Sequence, residues 1–196
     1  MTNMPPQWAE SVLQLLLEPE DYQTVSGDLL EKYREDVVPA RGQSAADRWY
    51  VKQIAGFAWR DLRLWAALFS GAFIARTAVD WFVPTTEFYT RSTVSTAVAA
   101  TILLAVGFRA AWRSDSIQSG AFAGVGTTIL AALINALGTA ALLALWHDPA
   151  TLAAIQGSGG LAEVFTLPWT LIIPGAVLGL VGGLFGGAAR KLVLTS

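Results

Sequence analysis

The sequence predicts an all-α polytopic membrane protein: a four-transmembrane-helix bundle behind a small helical N-terminal domain on the cytoplasmic side. Three observations predict it. Of 196 residues, 54% are hydrophobic and only 14% charged, against about 25% charged in a soluble domain. The charge is uneven: residues 1–63 carry 7 of the 13 Lys+Arg and 10 of the 15 Asp+Glu. Beyond Arg63, long apolar runs begin, and mean hydropathy for the chain is +0.47.

The N-terminal part, residues 1–63, opens without the basic n-region of a secretory signal, and Pro5, Pro6 and Glu10 interrupt any apolar core. It is therefore expected to be retained as a polar domain of about three short helices. Trp8, Val12, Leu15 and Leu16 share one helical face. The Glu18-Pro19 pair closes that run, because proline disfavours helix at the residue before it. Ser26-Gly27-Asp28 is expected to open a second helix, with Asp28 as N-cap and Glu31 three residues on as its capping-box partner. Leu30, Tyr33 and Val37 form its apolar stripe, and Pro39 and Gly42 end it. A third helix is expected from Ser44 towards the first span, with Ala46, Tyr50, Ile54 and Phe57 on one side.

Residues 64–196 form the transmembrane domain. A spanning helix takes about 20 mostly apolar residues. Four stretches qualify: 64–83, 93–112, 120–146 and 166–188. Trp65, Trp81, Tyr89, Trp112, Trp146 and Trp169 lie near their ends, where amphipathic rings settle among headgroups. Arg60, Arg63, Arg109, Arg113, Arg190 and Lys191 flank one side of the spans, whereas the other side holds only Arg91. The excess of cations puts both termini in the cytoplasm. The loop 148–165 faces outward, with a turn at 157–160 and a short helix around 152–155.

Within the N-terminal part, Leu15-Leu16-Leu17 is followed by Gly27-Asp28-Leu29-Leu30-Glu31-Lys32-Tyr33-Arg34. Ala45-Ala46-Asp47-Arg48-Trp49-Tyr50 and Gln53 come after. This pattern resembles the permease prefix segment. That segment precedes the first membrane helix of bacterial, acidobacterial-type ABC permeases related to the macrolide exporters. It also occurs on short stand-alone membrane proteins. The likeness covers residues 7–63. It implies a bacterial inner-membrane protein with a docking or regulatory prefix. It does not imply an export pump, because this chain has room for neither the large extracytoplasmic domain nor the further helices of those permeases. No catalytic residue is carried over. The expected partner-binding face of the prefix is Leu30, Tyr33, Arg34, Trp49 and Tyr50.

Polar and small residues inside the spans are the other candidates. Gly175, Gly179, Gly183 and Gly187 recur every fourth residue, a stripe on which another backbone can approach closely. The approaching helix belongs either to this chain or to a partner. Pro168 and Pro174 should loosen the start of the fourth span, Pro174 freeing the carbonyl of Thr170. Arg76 and Asp80 share a face of the first span. They are either a structural ion pair, part of a substrate or proton path, or a partner contact. Asn135 sits midway along the third span and is expected to hydrogen-bond between helices. His147, the only histidine, lies beside Asp148 in a loop.

The chain has no cysteine, which excludes disulfides, iron–sulfur clusters and thiolate chemistry. It has no HExxH, Walker loop, GxGxxG or nucleophile elbow. Its net charge of −2 and pI near 5.3 point away from nucleic acid. No enzymatic activity, metal or cofactor is expected. Eight tryptophans and nine phenylalanines would suit lipid or pigment between the spans, and equally an ordinary bilayer belt. The expected partners are the bilayer and either a protein subunit or a second copy of the chain. The leading functional expectation is a non-catalytic membrane subunit or regulator that docks a partner through its prefix and packs laterally through the glycine-faced helix. The alternative is a small oligomeric transporter or channel.

Overall fold

The structure, a computed structural model, describes residues 4–83, 88–146, 148–157 and 160–194. Every element among them is helical. In order they are α1 (Gln7–Leu16), α2 (Pro19–Lys32), a π-helical turn (Tyr33–Val37), α3 (Val38–Arg41), α4 (Gln43–Phe82), α5 (Phe88–Ser114), α6 (Ile117–Leu145), α7 (Pro149–Gly157), α8 (Gly160–Thr170) and α9 (Ile172–Leu194).

Four of these are long and apolar enough to cross a membrane: α4, α5, α6 and α9. Their burial pattern is inverted relative to a soluble bundle. Leu137 and Ile173 are about three-quarters exposed, while Ser70, Thr127, Thr128, Asn135 and Thr139 are buried. In water that exposure would cost hydrophobic free energy. In lipid it satisfies the outer face, and the polar groups go inside.

Helix α4 is the spine. Its 40 residues extend about 60 Å at 1.5 Å per residue, twice the thickness of a hydrocarbon core of about 30 Å. No break falls at Arg63, so the expected boundary between prefix and first span lies inside one helix. The N-terminal half of α4 projects beyond the span and carries α1–α3. Ala9, Leu13 and Leu16 of α1, Tyr33 and Val37 of the π turn, and Ala46, Tyr50 and Ile54 of α4 form one buried cluster, with Phe57 and Phe122 against it.

The expected face of α4 is thus observed, but that of α1 is rotated. Its seam is Ala9, Leu13 and Leu16, and Trp8 is 58% exposed. The second helix also starts earlier than expected. Pro19 occupies its first turn with Glu20 and Asp21 behind it, a placement that suits proline's missing N–H and the positive helix end. Asp28 therefore lies mid-helix and caps nothing. Pro39 is absorbed rather than terminating: the preceding turn widens, and the Val38 N–H bonds the Tyr33 carbonyl, five residues back. A wider turn relieves the clash of a proline ring with the carbonyl four residues earlier. Gly42, at φ +75°, makes the corner into α4, a conformation that glycine adopts without strain.

The bundle α4, α5, α6, α9 alternates in direction. Helices α5 and α6 join through Asp115 and Ser116, with Asp115 at φ +56°, a region that aspartate tolerates. This turn lies at the end that bears α1–α3. Helix α9 packs mainly on α5 and α6. The expected fourth span, 166–188, divides at Leu171 into α8 and α9. Pro174 cannot donate to Thr170, and the ladder resumes with the Gly175 N–H on the Leu171 carbonyl at 2.8 Å. The spanning part of α9 is Ile172–Val193. Helix α7 matches the expected short helix after the third span. Ser158 and Gly159 of the expected turn, and His147, lie outside the described residues.

Candidate functional site: the N-terminal layer and the polar groups of the bundle

The five expected partner-binding residues do not form one surface. Tyr33 and Tyr50 have no exposed area and meet edge to face, ring centroids 5.7 Å apart. They are core residues, because each phenol reaches a carboxylate inside the helical layer. Tyr33 donates to Asp47. Tyr50 donates to Glu10, which also accepts from Tyr22 and Ser26 at 3.1 Å. Desolvation, then the hydrogen bond to Asp47, pushes the Tyr33 phenol up to about 12. Tyr22 is raised by burial and by Glu10. What stays accessible of the expected face is Leu30, Arg34 and Trp49, with Arg34 the most exposed. Asp28, Glu31, Lys32, Glu35 and Asp36 line a shallow open depression along α2 and the π turn.

The layer is fastened to the bundle at Arg113, at the end of α5. Its Nε donates to Glu18, in the α1–α2 corner, at 3.1 Å, and its Nη1 to Asp61 of α4 at 2.7 Å. Arg190 of α9 closes the same corner. Its Nη1 donates to the carbonyls of Trp112 and Arg113 at 2.7 and 2.9 Å, satisfying acceptors that the end of α5 leaves open. From the sequence, Arg113 and Arg190 served only to orient the spans; a contact across 95 residues leaves no local pattern to read. Glu10 was missed for the same reason.

The glycine stripe is consumed within the chain. A Cβ on Gly120 would lie 2.9 Å from Gly183 Cα, and one on Gly179 would lie 2.3 Å from the Gly120 carbonyl oxygen. Real Cβ atoms do not approach so closely. Gly107 of α5 meets Gly179, and Gly182 and Gly186 meet the backbone at Leu104 and Phe108. Gly175 faces Gly124 and Thr128, whereas Gly187 has only an ordinary contact at 3.6 Å to Ile117. Lateral packing on a partner through this face is therefore corrected: α5 and α6 fill it.

Arg76 and Asp80 do pair, Nε to carboxylate at 3.4 Å, and Arg91 approaches the other carboxylate oxygen at 3.0 Å. Arg76 also donates to Ser95 of α5 at 3.3 Å. Arg91 donates to the Val83 carbonyl at 2.8 Å, at the end of α4. The cluster ties α4 to the start of α5. Asn135 is 4% exposed, and its Nδ2 has no hydrogen-bond partner; the expected interhelical bond from that amide is not made. Asp148 caps α7, accepting from the amides of Ala150 and Thr151 and the Thr151 hydroxyl. Those bonds hold its carboxyl below the usual value. Among the described residues no group of three or more His, Cys, Asp or Glu converges to hold a metal.

Fold and burial define a multi-pass helical membrane protein. Comparison with protein-family models, curated proteins and solved structures returned no match.

Proposed function

We propose that this protein is a non-catalytic integral membrane subunit or regulator whose N-terminal layer docks a partner protein and passes the docked state to the bundle. The observation that carries the proposal is the position of Arg113, bonded at once to Glu18 of the layer and Asp61 of α4. A layer that merely trailed from the first span would need no such fastening. One that transmits force or position does. The docking face is the accessible remainder of the expected one, Leu30, Arg34 and Trp49, with the carboxylates Glu31 and Glu35 next to it. The resemblance to the permease prefix supports the same role.

The excess of Lys and Arg on the end bearing the layer favours both termini in the cytoplasm, and the resemblance to the permease prefix favours a bacterial inner membrane. The test is co-purification in mild detergent. Leu30→Asp and Glu31→Lys/Glu35→Lys are expected to release a partner that wild type retains. Retention by both variants overturns this face.

The second reading, a small oligomeric transporter or channel, is favoured by one feature. The Asn135 amide donor, buried without a partner mid-way along α6, is costly unless something polar visits it. Flux in proteoliposomes lost in Asn135→Leu would support it.

A further inference from the structure

We propose that the end of the bundle below the N-terminal layer is a recognition band for anionic phospholipid headgroups, formed by Arg60, Arg63 and Arg109. All three side chains are exposed. Among the described residues, none of the three has an ion pair with a carboxylate. Arg60 only lies over the Phe57 ring, 5.0 Å from its centroid. The nearby carboxylates are engaged elsewhere. Asp61 and Glu18 take Arg113 at 2.7 and 3.1 Å, and Asp115 is 3.9 Å from Arg190. An unpaired guanidinium on a membrane protein keeps its charge and its five donors, so it calls for an anion.

Depth places that anion in the headgroup layer. The Asp61–Arg113 bond levels α4 against α5. From that level Arg63 lies about 3 Å inward and Arg109 about 6 Å inward, at 1.5 Å per residue, with Arg60 just outside. The three therefore span less than about 8 Å of depth, comparable to one leaflet's polar zone of roughly 5–8 Å. Trp59 and Leu64, 50% and 64% exposed, bracket the same level. Tryptophan rings settle at the headgroup level, so Trp59 marks the outer side of the band and Leu64 the start of the apolar run. The acidic face of α2 and the π turn, with Asp28, Glu31, Glu35 and Asp36, belongs to the layer that projects beyond this level. The cations of this end thus meet the bilayer, and those acids do not. The occupant this separation fits is a lipid with a net negative headgroup. The proposal is independent of the docking reading, since it concerns a different face.

The test is native mass spectrometry of the full-length protein, in detergent holding equimolar phosphatidylglycerol and phosphatidylcholine. A cation near an anionic lipid surface is worth about 1 kcal/mol, or about fivefold, before screening. Wild type is expected to retain phosphatidylglycerol over phosphatidylcholine by roughly tenfold. Arg60→Gln/Arg63→Gln/Arg109→Gln should fall to below about twofold, and the triple Lys variant should keep the preference. Equal retention of the two lipids by wild type, or an undiminished preference in the triple Gln variant, overturns the proposal. Should the triple Gln variant fail to fold, Arg63→Gln and Arg109→Gln singly must each lower the preference, and the wild-type preference must collapse at 1 M salt, where the screening length is about 3 Å. If either fails, the proposal is equally overturned.

Discussion

Arg113 and Glu18, 95 positions apart in sequence, are joined by a 3.1 Å ion pair. The same guanidinium reaches Asp61 at 2.7 Å. One side chain therefore fixes the corner between α1 and α2 against both α4 and α5. The two carboxylates are not equivalent, since Glu18 is 50% exposed and Asp61 24%.

A graded loss follows from that difference. Glu18→Ala should cost less than about 1 kcal/mol, the range of exposed pairs. Arg113→Ala should cost about 1–3 kcal/mol, because it leaves the better-buried Asp61 without its partner. Asp61→Ala should fall between them. Hydrogen exchange of α1 and α2 in detergent checks the order. If Arg113→Ala leaves exchange of α1 unchanged, the fastening is not at this residue.

The glycines predict a contrast along one helix. Gly179→Ala and Gly120→Ala place a methyl against backbone at 3.0 Å or less and should destabilise by at least about 1–3 kcal/mol, as overpacking does. Gly187→Ala meets only Ile117 at 3.6 Å and should be nearly neutral. Thermal unfolding in detergent separates the two outcomes. Equal effects at all three positions would contradict the observed seam.

In the outer cluster, Asp80 accepts from two arginines and is 11% exposed. Asp80→Ala removes the carboxylate shared by both cations, which keep only their bonds to Ser95 and the Val83 carbonyl, and should cost about 1–3 kcal/mol. Arg76→Ala leaves Asp80 paired with Arg91 and should cost less. Chemical unfolding of the two variants gives the ranking; the reverse order would mean that Arg91 is not the principal partner.

Tyr33 sets an alkaline limit for the layer. Its phenol is raised from the ordinary value of 10.0 to about 12, so the folded layer holds the proton more tightly than the unfolded chain. The stabilisation is complete below pH 10 and is lost as pH rises through about 12. Tyr33→Phe should remove that part of the pH dependence of α1–α3 unfolding. An identical alkaline profile in the variant would show that the phenol is not held by Asp47.

Much of this was legible in the sequence, and the rest failed for identifiable reasons. The four spans, the short α7 and the α4 face of Ala46, Tyr50 and Ile54 follow from periodicity and hydropathy, which are local. The register of α1 did not follow, since Trp8 and Leu16 fit one stripe as well as Ala9, Leu13 and Leu16 fit another. Pro39 looks like a stop, and only the widened turn shows how it is absorbed. Tyr33 and Tyr50 looked like surface anchors because aromatic and polar character coexist in them. Their carboxylate partners, Asp47 and Glu10, come from other turns and other helices. The glycine stripe was legible as a contact surface, but its occupant was not, because periodicity cannot distinguish a neighbour in the same chain from one outside it.

A docked protein partner is what the fastened layer implies. Its most direct test is quantitative mass spectrometry of the complex purified at native expression level in mild detergent. One other protein in fixed stoichiometry is expected, lost in Leu30→Asp and in Glu31→Lys/Glu35→Lys. A homo-oligomer free of any other protein would contradict it and move the weight to transport through the bundle.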